Sequence, residues 1–115
     1  MGNTRNFIAI RNDFFEKGNP WDQIMQHEDG AKNSIIFLEL CTLSADADGF
    51  VGRKEGDEII PLTYAEIAAV DGYNDEESVM KAMNLFEDLG FIKLDHDTGL
   101  YRISIAGELF YYGAE

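Results

Sequence analysis

The chain has 115 residues, 45% of them hydrophobic and 12% aromatic, with 9 Lys+Arg against 22 Asp+Glu and a net charge of −13. That length and apolar content fit one small domain with a core of its own and exclude a disordered tail. The acidity argues against non-specific binding to nucleic acid or anionic lipid. The longest apolar runs, Ile35–Leu38 and Leu40–Leu43, fall far short of the roughly 20 residues of a membrane span.

Residues 1–6 are polar and read as frayed. No basic flank, long apolar run and small-residue cleavage site follow one another there, so no secretory signal is expected. With the single Cys41, which allows no internal disulfide, this predicts a cytoplasmic protein. Phe7-Ile8-Ala9-Ile10-Arg11 reads as a short strand. Gly18-Asn19-Pro20 is a turn, with Asn19 as cap and Pro20 as first residue of a helix reaching about Gln26. From Ala31 to Leu43 the apolar residues leave almost no polar face, which predicts a central buried helix with Cys41 as a small hydrophobe. Asp46 to Gly56 is turn-rich, and Phe50-Val51 and Ile59-Ile60 read as short strands on either side, the second ended by Pro61.

The following stretch is the most legible. Thr63-x-x-Glu66 is a capping box opening a short helix, with Ile67, Ala68 and Val70 inward. Asp71-Gly72-Tyr73 breaks it, and Asn74-x-x-Glu77 reads as a second capping box. Val79, Ala82, Met83, Phe86 and Leu89 then recur at helical spacing, and Gly90 stops the helix as a left-handed cap. Phe91–Leu94 and Leu100–Ile103 flank a five-residue loop, Asp95 to Gly99, as a hairpin. Glu108 to Tyr112 reads as a last helical turn. Two helices across a tight turn at about 63–90, then a hairpin wing at about 91–105, describe an α+β, mainly α, single winged helix-turn-helix domain.

The segment Leu62-Thr63-x-x-x-Ile67-Ala68 … Gly72 … Val79-x-x-Ala82-x-x-x-Phe86-x-x-Leu89-Gly90-Phe91-Ile92 resembles winged-helix proteins in general. Adding Asp13-Phe14-Phe15, Gly30-Ala31-Lys32 ahead of the apolar helix, Gly49-Phe50-Val51 and Ile59-Ile60-Pro61, the chain from about Phe7 to Tyr112 resembles the N-terminal domain of phage replisome organizer proteins, relatives of the DnaD primosome proteins. The resemblance implies a winged helix at the head of a longer protein that initiates replication by binding an origin and recruiting helicase-loading or other replication proteins. It also implies self-assembly into a homo-oligomer through this domain.

The residues themselves set limits on a DNA role. Residues 63–90 hold one Lys against seven Asp and Glu. A recognition helix makes its base contacts near its N-terminus, and here that end carries Asp75, Glu76 and Glu77. Carboxylates in a first turn also stabilise a helix against its own dipole, which explains them without any ligand. For DNA, Lys81 and Asn84 remain on the helix and Lys93 and Arg102 on the wing; with His96 at its tip, these would give weak, salt-sensitive docking. Arg5, Arg11, Lys17, Arg53 and Lys54 form a further patch only if the fold brings them together. The alternative is a winged helix that docks proteins or oligomerises without binding DNA, with Phe7, Phe14, Trp21, Phe110, Tyr111 and Tyr112 as an aromatic interface. Completion of the core explains the same aromatics. Transcriptional regulation would use the same fold.

Other chemistry is weaker. Ser44-x-Asp46-x-Asp48-Gly49-x-Val51-x-x-x-Glu55 matches a calcium loop in part, but position one is Ser and Gly56 to Pro61 cannot form the exit helix. A solvated acidic turn accounts for it. His27 and His96 lack metal-spaced neighbours, and Cys41 lies in the most apolar helix, away from the exposed setting a thiolate nucleophile needs. No cofactor motif is present, and the chain reads as a non-enzyme.

Overall fold

The computed structural model describes residues 7–45, 47–105 and 110–113. Strand β1 (Phe7–Ile10) is followed by a 3-10 turn over Asn12–Phe15 and helix α1 (Pro20–Met25). Pro20 occupies the first turn, where its missing N–H costs nothing. Asn19 does not cap through its side chain; its amide donates to the Asp13 carbonyl instead.

Helix α2 (Gly30–Ala45) is the centre of the molecule. It packs against α1 and reaches β1 and the elements that follow it in the chain. Ile36, Phe37, Leu40 and Cys41 are fully buried on it. Gly30 is required at its start: a Cβ there would lie 2.7 Å from the Met25 Cα, inside the contact limit of the tight α1–α2 corner. Ser34 and Ser44 are buried as well, and their hydroxyls donate to the carbonyls of Gly30 and Cys41.

Next come the hairpin β2 (Gly52–Glu55) and β3 (Glu58–Pro61), then α3 (Tyr64–Ala68) and α4 (Glu76–Asp88), then the hairpin β4 (Ile92–Asp95) and β5 (Leu100–Ile103). The first hairpin falls two residues later than Phe50-Val51. That dipeptide instead lies along β5, where Phe50 bridges Arg102, the Val51 N–H donates to the Tyr101 carbonyl at 2.8 Å and the Ile103 N–H donates to the Gly49 carbonyl at 3.0 Å.

The Thr63–Glu66 capping box is complete in both directions. The second helix is capped one residue later than the spacing predicts. Asp75 accepts from the Ser78 N–H at 2.8 Å. Asn74 lies one residue outside the helix and belongs to the turn, its N–H and side-chain amide both donating to the Asp71 carboxylate. Helix α4 ends in a Schellman motif, with Gly90 at φ +80°. The Phe91 N–H returns to the Phe86 carbonyl and the Gly90 N–H to the Glu87 carbonyl. The wing loop is four residues, His96 to Gly99, since Asp95 belongs to β4.

The last element, β6 (Phe110–Gly113), overturns the expected helical turn at Glu108 to Tyr112. It pairs antiparallel with β1, Phe7 opposite Gly113 and Ile10 opposite Phe110. Three successive aromatic residues suit a pleated strand better than a helical turn.

The buried side chains from Phe14 to Ile105 form one cluster. Phe37 of α2 sits at its centre, edge-on to Phe86 of α4 at 5.2 Å and tilted against Phe91 at 5.7 Å. The described residues thus make a small α+β fold, mainly helical, with α2 gripped between α1 and the α3–α4 and β4–β5 units. None of their helices is long and apolar enough to cross a membrane.

Candidate nucleic-acid interface

The turn between α3 and α4 is built on one carboxylate. Asp71 accepts from the N–H groups of Tyr73 at 2.7 Å and Asn74 at 3.1 Å, and from the Asn74 amide at 2.7 Å. Glu39, on α2, meets the same carboxylate. Burial first, then the hydrogen bond to Asp71 and repulsion from its charge, push the Glu39 pKa up to about 7. That hydrogen bond, helped by the backbone donors, holds Asp71 far below the usual carboxylate range. Below about pH 7 the protonated Glu39 carboxyl can therefore donate to Asp71 and tie α2 to the turn. Glu39 is an acid set within an apolar helix, the one signal in the sequence that could have marked it.

Lys81 and Asn84 lie one turn apart on α4, and both are exposed. Lys81 pairs with Glu77 at 3.3 Å. It borders a polar groove of about 500 Å³ towards the α1–α2 turn, together with His27, Asp29, Lys32 and Asp75. Four carboxylates, Glu28, Asp29, Asp75 and Glu77, line it against the two lysines.

Lys93 and Arg102 are directly opposite each other on β4 and β5, and both are exposed. The Arg102 guanidinium stands 5.1 Å from the centroid of the Phe50 ring, a cation–π contact that orients it. The structure thus brings the wing pair together. No hydrogen bond or ion pair joins it to Lys81 or Asn84 among the described residues.

No protein-family model, curated protein or solved structure matches the chain.

The other basic residues are spread out. Arg11 pairs with Asp13 at 2.9 Å, while Arg53 on β2 bridges Glu55 at 2.7 Å and Glu66 at 2.6 Å. Arg53 thereby fastens the first hairpin to the capping box of α3. Lys17 and Lys54 are exposed, and Arg5 lies outside the described residues.

The aromatic set divides. Phe14 is 2% exposed and belongs to the chain's own core, which removes it from any partner surface. Trp21 is half-buried and meets Phe15 edge-on at 5.5 Å, and Phe15 is 50% exposed. Phe15, rather than Phe14, is the exposed member of that pair. The phase of a 3-10 turn decides between adjacent phenylalanines, and the sequence does not display that phase. Phe7, Phe110, Tyr111 and Tyr112 stand on the paired strands β1 and β6, with side chains outside the described residues.

Two ends of the partial calcium loop have other partners. Ser44 is buried against the Cys41 carbonyl, Glu55 is bound to Arg53, and Asp46 lies outside the described residues. Among the described residues no group of three His, Cys, Asp or Glu side chains is placed to hold a metal ion. Burial pushes the Cys41 thiol pKa upward, so the sulfur is a packing atom at neutral pH.

Proposed function

We propose that the chain is a winged-helix docking module of the replisome-organizer type, serving replication initiation through protein contacts. The order α2, α3, α4, β4, β5, with Gly49–Val51 lying against β5, supports the winged-helix reading. The observation that carries the protein-contact reading is the leading end of α4. Asp75, Glu76 and Glu77 stand where a recognition helix meets DNA, and Lys81, the nearest cation on that helix, is already held by Glu77. Phosphates brought to this end would meet carboxylates, and Lys81 would have to leave its exposed pair with Glu77 to reach them. A weak DNA contact remains a second reading because Lys93 and Arg102 form an exposed cross-strand pair on the wing.

Fluorescence anisotropy with mixed-sequence and origin-derived duplexes, at low and moderate salt, tests both readings when run with light scattering on the same sample. The expected result is no binding, or only a shallow salt dependence of about −0.9 per phosphate contact. Steep salt-dependent binding by a monomer, abolished in Lys81→Ala, would overturn the protein-contact reading. Binding lost only in Lys93→Ala and Arg102→Ala would assign DNA to the wing.

A further inference from the structure

We propose that the groove between the start of α3, the face of α4 and the β4–β5 loop docks a short basic segment of a partner protein, one that carries an apolar anchor residue. The inference rests on the docking reading above and names the partner's chemistry. The groove has a volume of about 330 Å³, and Leu62, Met83, Leu100 and Tyr101 lie along it. Such a volume is at the small end of binding pockets, right for one anchor side chain rather than a cofactor. It runs into a shallower depression of about 430 Å³ alongside Met80, and Tyr64 and Glu76 border both. Met80 is 40% exposed although it sits on the helix that carries much of the core. Tyrosine and methionine supply large, adaptable contact area for a segment laid across them.

The charged residues that line the two depressions are all carboxylates. Asp75, Glu76 and Glu77 edge the depression, and Glu87 is near enough to Tyr101 to raise its phenol, after burial has done so. Asp75 is committed to the Ser78 N–H and Glu77 to Lys81. Glu76 has no hydrogen-bond or ion-pair partner among the described residues, and it stands where the two depressions meet. A lysine or arginine flanking an apolar side chain would satisfy that carboxylate while the anchor enters the groove. A phosphate backbone or an acidic segment would be repelled from the same place.

The test selects peptides from a random display library on the immobilised full-length chain, then titrates the winners by fluorescence polarisation. Selected peptides should carry Lys or Arg beside a Leu, Ile, Met or Phe. Their affinity should fall about tenfold in Glu76→Gln and again in Met80→Ser, as expected for losing one charge-assisted contact or one apolar contact. Both positions are exposed, and melting curves of the two variants check that they fold. Failure to select any peptide, selection without basic residues, or affinities unchanged in both variants would overturn the groove assignment. Light scattering and the duplex titration on the same preparations separate the two levels. A self-associated chain that binds no DNA, with assembly indifferent to Glu76 and Met80, leaves the docking reading standing and removes the groove. Steep DNA binding by a monomer removes the docking reading itself.

Discussion

Substituting Glu39 by Gln should make the protein more stable at pH 8 and have much less effect at pH 5. In the folded chain Glu39 holds its proton up to about pH 7, against an ordinary value of 4.5. A carboxyl whose folded pKa is raised contributes stability that is fully present below the unfolded value and is lost as pH rises through the folded one. The loss here therefore accumulates between about 4.5 and 7. Asp71 has the opposite sign, because its depressed pKa favours the folded state above the ordinary carboxylate range and ceases to do so only in strong acid. Above pH 7 two carboxylates face each other across the α2-to-turn contact. Each factor of ten in proton affinity is about 1.4 kcal/mol, which sets a ceiling of roughly 3 kcal/mol on the loss. Glu39 is only half-buried, and solvent screening cuts this to about 1–2 kcal/mol. Glutamine keeps a donor for Asp71 and never ionises. The melting temperature of Glu39→Gln should exceed that of the parent by about 4–8 °C at pH 8 and by only about a quarter of that at pH 5. A gap equal at both pH values, or a parent that gains stability from pH 5 to 8 relative to the variant, would refute a protonated Glu39 at Asp71.

Truncating Phe37 to Ala should cost about 3–5 kcal/mol in urea unfolding, because the ring joins α2 to both Phe86 and Phe91 and no neighbour can fill the space. Thr63→Ala removes one half of the α3 capping box and should cost about 1 kcal/mol, read from the same denaturation curves. Glu76→Lys combined with Glu77→Lys should create duplex binding where the parent has little, and its logarithmic salt slope should steepen by about 0.9 for each new phosphate contact. No gain in anisotropy at low salt, with the fold intact by circular dichroism, would argue that α4 is not placed as a recognition helix.

Much of the fold is legible in local signals. The Thr63–Glu66 box, the glycine stop at Gly90 and the apolar spacing from Val79 to Phe86 all report short-range physics, and each helix stands where those signals put it. What escaped is non-local. Phe50-Val51 looks like a strand and does lie along one, but its neighbour is β5, some fifty residues on in the sequence. Phe110–Gly113 pairs with Phe7–Ile10, and nothing near residue 110 announces that the partner is at the other end of the chain. Asn74 has the right type and spacing for a cap, yet Asp75 takes that role and Asn74 donates to Asp71 within the turn instead. At the candidate site the sequence gives the residue types at Lys93 and Arg102, and the hairpin spacing makes them neighbours. It does not give the Glu77 pairing that occupies Lys81, nor the meeting of Tyr64, Glu76 and Met80 at one groove.

The first turn of α4 carries three acids in succession, and the structure divides their work. Asp75 closes the helix end, and Glu77 holds Lys81 on the next turn. Both are accounted for by helix stability, which a neutral or mixed first turn could also have supplied through Ser or Thr. Glu76 shares only the general dipole benefit of a first-turn acid: its carboxylate has no hydrogen-bond or ion-pair partner among the described residues and borders both depressions. Beyond that dipole term, a carboxylate beside exposed Met80 and half-buried Tyr64 gains little for folding from its position. It does gain from a cation brought by another chain, because the surrounding apolar surface lowers the local dielectric and strengthens the pair once water is displaced. The same acidity that weakens the case for DNA at this helix therefore strengthens the case for a basic protein partner there.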